Sequence, residues 1–157
     1  MARTMRFLAM LAALALLLVA CNGADEVADE PADPADYAGI EDQPAAAASF
    51  VSPSDGDTVS SPFTAELAAE GITLTPAGAP AAGEAHLHVI AGDCFETGET
   101  IPGPTDEDEA EGRFHLGDGS DSREIDLEPG THDLCVQLGD GVHVAFGDTA
   151  VITLTVE

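Results

Sequence analysis

Apolar and polar residues alternate in short runs through the latter two thirds of the chain. The clearest run is Gly83-Glu84-Ala85-His86-Leu87-His88-Val89-Ile90-Ala91-Gly92. Alternation bounded by glycine predicts a β-strand. Successive strand side chains point to opposite faces, so His86 and His88 share one face while Leu87 and Val89 share the other. Similar runs occupy residues 61–67, 113–116, 122–127, 131–138, 142–146 and 150–156. Residues 68–74 are ambiguous, but Gly71 and the β-branched Ile72 and Thr73 favour strand over helix. Turn chemistry separates the runs: Pro53-Ser54-Asp55-Gly56-Asp57, Gly117-Asp118-Gly119, Glu128-Pro129-Gly130 and Gly139-Asp140-Gly141. About seven such strands with turns at this spacing predict an all-β, immunoglobulin-like antiparallel β-sandwich over residues 49–157, with no substantial helix. One stretch breaks the rhythm. Residues 93–112 form a long acidic loop around Ile101-Pro102-Gly103-Pro104, and a loop of that length inside a small domain is either functional or locally mobile.

The strand phase also sorts the histidines. His86 and His88 oppose Leu87 and Val89, His115 opposes Phe114 and Leu116, and His143 opposes Val142 and Val144. With the apolar neighbours facing the core, these four imidazoles point away from it. His132 instead shares the face of Leu134 and Val136, which suits a hydrogen-bonded structural residue. Imidazole ligates Zn(II), Cu(II) and Ni(II), so His86, His88, His115 and His143 are the candidate metal ligands, with Glu84, Asp93 and Asp118 as carboxylates that could contribute. Phase alone leaves two arrangements open. The four can converge on one sheet face, or they can lie apart as ordinary solvent-side residues.

The first 20 residues have a different pattern. Arg3 and Arg6 precede an unbroken apolar run over residues 7–19, which is shorter than the roughly 20 residues an ordinary membrane span requires. The run ends in Leu18-Val19-Ala20-Cys21, which resembles the bacterial lipobox. That resemblance implies cleavage before Cys21, acylation of its thiol, and stable attachment to a membrane of the cell envelope, on the exported side. Residues 21–48 are rich in Ala, Asp, Glu and Pro without apolar periodicity, as expected of a charge-extended linker.

Charge narrows the partners. Thirty acidic residues stand against four arginines, and lysine is absent. Without the first 20 residues only Arg113 and Arg123 remain, a formal charge of −28. Such a surface cannot neutralise phosphates, so nucleic acid is excluded as a partner, and anionic lipid would repel it. Contact with the membrane is expected through the Cys21 lipid alone, and an envelope protein remains open as a partner. Cys94 and Cys135 most simply form one disulfide in an oxidising compartment, the alternative being a thiolate contribution to a metal site.

From residue 50 onward the chain resembles the exported bacterial family known as domain of unknown function 4399. The phrases that carry the likeness are Phe-Val-Ser-Pro-Ser-Asp-Gly-Asp-Thr-Val-Ser-Ser-Pro-Phe, His-Leu-His-Val-Ile, Phe-His-Leu-Gly-Asp-Gly, Leu-Glu-Pro-Gly-Thr-His-Asp-Leu and Leu-Gly-Asp-Gly-Val-His-Val-Ala-Phe. The resemblance implies that His86, His88, His115, His132 and His143 are a family set, and it implies no activity. The chain departs from the family in having Phe146-Gly147-Asp148 where a His-Asp-Pro-Pro phrase usually follows. Residues 83–93 and 143–148 are also similar to a phrase of copper-zinc superoxide dismutases. No arginine follows Arg123, however, and the rest of that zinc-ligand cluster is not evident. No hydrolase, phosphate-loop or zinc-protease motif occurs. The expectation is therefore a non-enzymatic, membrane-anchored envelope lipoprotein whose β-sandwich binds Cu or Zn. The alternative is a structural or protein-interaction module with no metal site.

Overall fold

The computed structural model describes residues 38–157. The expected signal at 1–20, Cys21 and the first part of the linker lie outside the described residues. Nine strands follow one another: β1 (Ala47–Ser52), β2 (Thr58–Val59), β3 (Phe63–Glu70), β4 (Thr73–Leu74), β5 (Glu84–Ala91), β6 (Arg113–Leu116), β7 (Ser122–Ile125), β8 (Gly130–Gly139) and β9 (Ala145–Val156). They join into one curled sheet in the order β4-β5-β8-β9-β1-β3-β7, with β6 also on β5 and β2 also on β9. Its two halves face each other across a single core, which is the sandwich that the alternation predicts.

The pairing is less uniform than an antiparallel sandwich. β4 runs parallel to β5, and both β1 and β2 run parallel to β9. The β1–β9 contact at Ala47 and Asp148 carries the sheet from one half to the other. Leu87, Val89, Leu134, Val136, Leu138 and Leu154 enter the core from the β5-β8-β9 half, and Ala48, Phe63, Ala65, Leu67 and Ile125 enter from the β1-β3-β7 half. Each fully buried Leu, Val, Ile or Phe contributes about 1.5–3 kcal/mol by leaving water, before the conformational entropy it opposes.

Three local expectations need correcting. Packed structure begins ahead of residue 49: Ile40, in the 3-10 turn Ile40–Asp42, rests on the core. The Gln43 side-chain amide donates to the carbonyls of Ala81 and Glu84 and accepts from Gly83 N, tying this segment to the start of β5. Residues 142–146 are not a separate strand, because a turn over 140–143 leads directly into the long β9. Finally, the acidic loop contains a helix, α1 (Asp106–Ala110), started by a reciprocal capping box between Thr105 and Asp108. Asp108 is buried and paired with Arg113 at 2.6 Å, so this part of the loop is fastened to β6.

That loop explains why β5 is buried on both faces. Ile90, Ile101, Cys135 and Ala145 are buried yet lie outside the main core cluster. The segment after Gly92 crosses the outer face of β5 and β8 and is held at three places. Cys94 is bonded to Cys135 (S–S 2.00 Å). The Gln137 side chain accepts from Phe95 N (3.0 Å) and donates to Phe95 O (2.7 Å). Further on, Gly98 N donates to Ala145 O and Ile101 N to His143 O, each at 2.8 Å. Among the described residues, no helix is long and apolar enough to cross a membrane.

Candidate metal centre

The outer face of β5 is where the histidines meet. β5 pairs with β6 so that His88 stands opposite His115, and with β8 so that His88 stands opposite Gln137 and His86 opposite Gly139. Residues directly opposite across a ladder share a face. One row therefore reads His115, His88, Gln137 across three strands, with His86 two residues along on the same side. The fourth histidine arrives from the turn between β8 and β9. Asp140 is buried there, and its Oδ1 accepts from Val142 N (3.0 Å) and Val144 N (2.9 Å) while its carbonyl accepts from His143 N (2.9 Å). This compact turn places His143 in the left-handed region (φ 70°), a conformation that costs a non-glycine residue about 1 kcal/mol or more.

Each of the four side chains offers one ligand atom, and these atoms all lie within 4.8 Å of one another. Nε2 of His86 is 2.9 Å from Nε2 of His88, and Nε2 of His143 is 3.0 Å from Nε2 of His115. Of the two arrangements left open by the sequence, the convergent one is realised. His86 and His88 are 0% and 2% exposed, so they are not solvent-side residues, whereas His115 and His143 are half-buried. None of the carboxylates Glu84, Asp93 and Asp118 belongs to the group. His132 lies elsewhere, its Nε2 2.8 Å from the Glu128 carbonyl. Cys94 and Cys135 are taken up by their mutual bond, which excludes them as thiolate ligands in this state.

Burial and mutual repulsion favour the neutral form of His86, His88 and His115. Desolvation, with the neighbouring His115 and His143, pushes His86 from 6.5 down to about 3. Desolvation followed by His86, His115 and His143 pushes His88 to about 2. His115 is also lowered, chiefly by desolvation and then by His143 and Arg123, with Asp118 opposing. Neutral imidazole with an available lone pair is the form that ligates metal. The Nδ1 atom of His86 is buried without a hydrogen-bond partner.

Two glycines make room for the rings. A Cβ at Gly117 would sit 1.7 Å from Cε1 of His115, and one at Gly139 would sit 3.0 Å from Nε2 of His88. Gly117→Ala is accordingly expected to drive the His115 ring out of the group, at a stability cost of about 1–3 kcal/mol. The His115 imidazole proton–nitrogen correlations and the urea midpoint measure this, and unchanged values for both would contradict the geometry. Gly117, Gly139, Gln137 and Asp140 are site residues that the alternation did not single out. The tight-turn sequence Gly139-Asp140-Gly141 was the available signal for Asp140.

These features define an all-β domain that gathers four histidines under a disulfide-anchored loop. The chain matches the family model described as domain of unknown function (DUF4399) over residues 65–157, and it belongs to that family. The matched span contains all four histidines of the group. A search of curated proteins finds no match.

Proposed function

We propose that this protein is a non-catalytic envelope lipoprotein whose domain binds one divalent transition-metal ion, copper or zinc, through His86, His88, His115 and His143. The observation that carries the reading is the convergence of four imidazole ligand atoms within 4.8 Å of one another. A tetrahedral site with metal–nitrogen bonds of about 2.0–2.1 Å needs nitrogens roughly 3.3–3.4 Å apart. The present spread brackets that spacing, and small side-chain rotations close it. Four imidazoles fill a tetrahedral shell and leave no position for a reacting water, which favours holding the ion over chemistry on a substrate. An all-nitrogen neutral set suits Zn(II) and Cu(II) better than Mg(II) or Ca(II), which take oxygen. The bound ion's charge is offset by a chain with formal charge −26. Cys21, in its lipobox-like setting, supplies the attachment to the membrane.

Calorimetric titration of the chain with zinc or copper is expected to give one ion per chain with a Kd below about 10 μM, well within reach of a preformed four-ligand site. No binding at that level would leave a second reading, the interaction module without metal. The two short Nε2–Nε2 contacts are the observation in its favour, because they let the histidines satisfy one another as a packed hydrogen-bonded cluster.

A further inference from the structure

The two inner histidines of the group are sealed, while His115 and His143 are only half-buried. An ion reaching the four nitrogens therefore arrives on the side of the outer pair. A cleft of about 470 Å³ opens against His115 and is lined also by Gly117, Asp118, Ser120, Ser122 and Arg123. It connects with the group through the His115 ring, which lies so close over Gly117 that no Cβ fits between them. The charges around the cleft are unequal. Arg123 donates through one terminal nitrogen to the His115 carbonyl and pairs through the other with Glu109 of α1, which offsets part of its charge. The exposed Asp118 has its Oδ1 held by Ser120 N at 3.0 Å, which fixes the carboxylate at this cleft.

We infer that this cleft is the entrance for the metal ion and that Asp118 is its first, transient ligand, a role that rests on the metal-binding reading above. A hydrated divalent cation is drawn to a carboxylate at a cleft mouth. There it exchanges one water for a carboxylate oxygen and passes to His115 as further waters leave, with no change in charge or oxidation state. Asp118 stands outside the four-histidine shell, so it lowers the barrier to entry and to exit alike and adds only a small, salt-screened stabilisation of the bound ion.

The test uses the full chain in detergent, with stopped-flow mixing against Zn(II) for uptake and against a chromophoric chelator for release. Asp118→Asn preserves an oxygen for the Ser120 amide and removes the charge. It is expected to slow uptake and release together, each by about fivefold or more at low salt, with Kd unchanged within about twofold and the difference shrinking as salt screens the carboxylate. Asp121→Asn, which removes a neighbouring exposed charge, is expected to leave both rates alone. Unaltered rates in Asp118→Asn would overturn the entrance role while leaving the metal site standing. A Kd weakened tenfold would also overturn it, by making Asp118 an equilibrium or structural contributor. Failure of the unaltered chain to take up zinc would remove the metal reading itself.

Discussion

Replacing His88 with alanine is expected to weaken zinc or copper binding about 100-fold, whereas replacing His132 changes it by less than about twofold. His88 stands at the middle of the row, flanked by His115 on β6 and Gln137 on β8, with its Nε2 2.9 Å from that of His86. Structural zinc sites bind with roughly 10–16 kcal/mol, so each of four ligands carries on the order of 3 kcal/mol, or about two powers of ten in Kd. His132 serves as a control because it shares the residue type and the domain but lies outside the group. Competition against a chromophoric chelator gives both constants, and circular dichroism verifies that each variant is folded. Equal effects from the two substitutions would break the link between the group and the metal.

The second large effect is acid destabilisation of the metal-free protein. His86 and His88 have folded-state values of about 3 and about 2, against 6.5 in the unfolded chain. Above pH 6.5 both are neutral in either state, and the stability of the buried arrangement is fully present. Below pH 6.5 the unfolded chain binds protons that the folded chain cannot, so stability falls as pH falls until His86 protonates near pH 3. Each group contributes a slope of up to about 1.4 kcal/mol per pH unit, so lowering the pH from 6.5 to 4.5 costs on the order of 5 kcal/mol for the pair. A typical domain has about 5–15 kcal/mol in total, so this loss is large enough to unfold it. Urea midpoints of the chelator-treated protein across that range measure the slope, and the double variant His86→Leu, His88→Leu is expected to flatten it. Saturating zinc should also protect, down to the pH at which protons displace the ion. A midpoint independent of pH between 6.5 and 4.5 would contradict the burial of the pair.

The alternation along the chain was enough to predict an all-β sandwich, because a one-face-buried strand has no other economical pattern. It also placed His86 and His88 on the face opposite Leu87 and Val89, and the structure agrees. Convergence was not legible. That depends on register, namely His88 opposite His115 and His86 opposite Gly139, and register across non-adjacent segments leaves no local trace in sequence. His143 shows the limit most clearly. Alternation with Val142 and Val144 suggested a strand, but Asp140 captures two amides and bends the chain into a turn. Side-chain-to-backbone bonding of this kind competes with strand pairing, and the aspartate won. The acidic loop was recognisable as unusual from its length. Its role as a cover needed Ile101 and the Phe95–Gln137 bonds, which sequence spacing does not reveal.

The bond between Cys94 and Cys135 does more than fasten that cover. Measured along the backbone, His86 and His143 are 57 residues apart. Through the sulfur bridge the route is much shorter, eight residues from His86 to Cys94 and eight from Cys135 to His143. The bridge lies inside the span from His86 to His143 and shortens the loop that bringing those two together must close by more than threefold. Because closure entropy grows with the logarithm of loop length, the bridge lowers the cost of gathering the histidines by about 1 kcal/mol, or roughly sixfold in binding, in any chain that has lost its packing. Oxidation of two cysteines thus becomes a first instalment in gathering the histidine group.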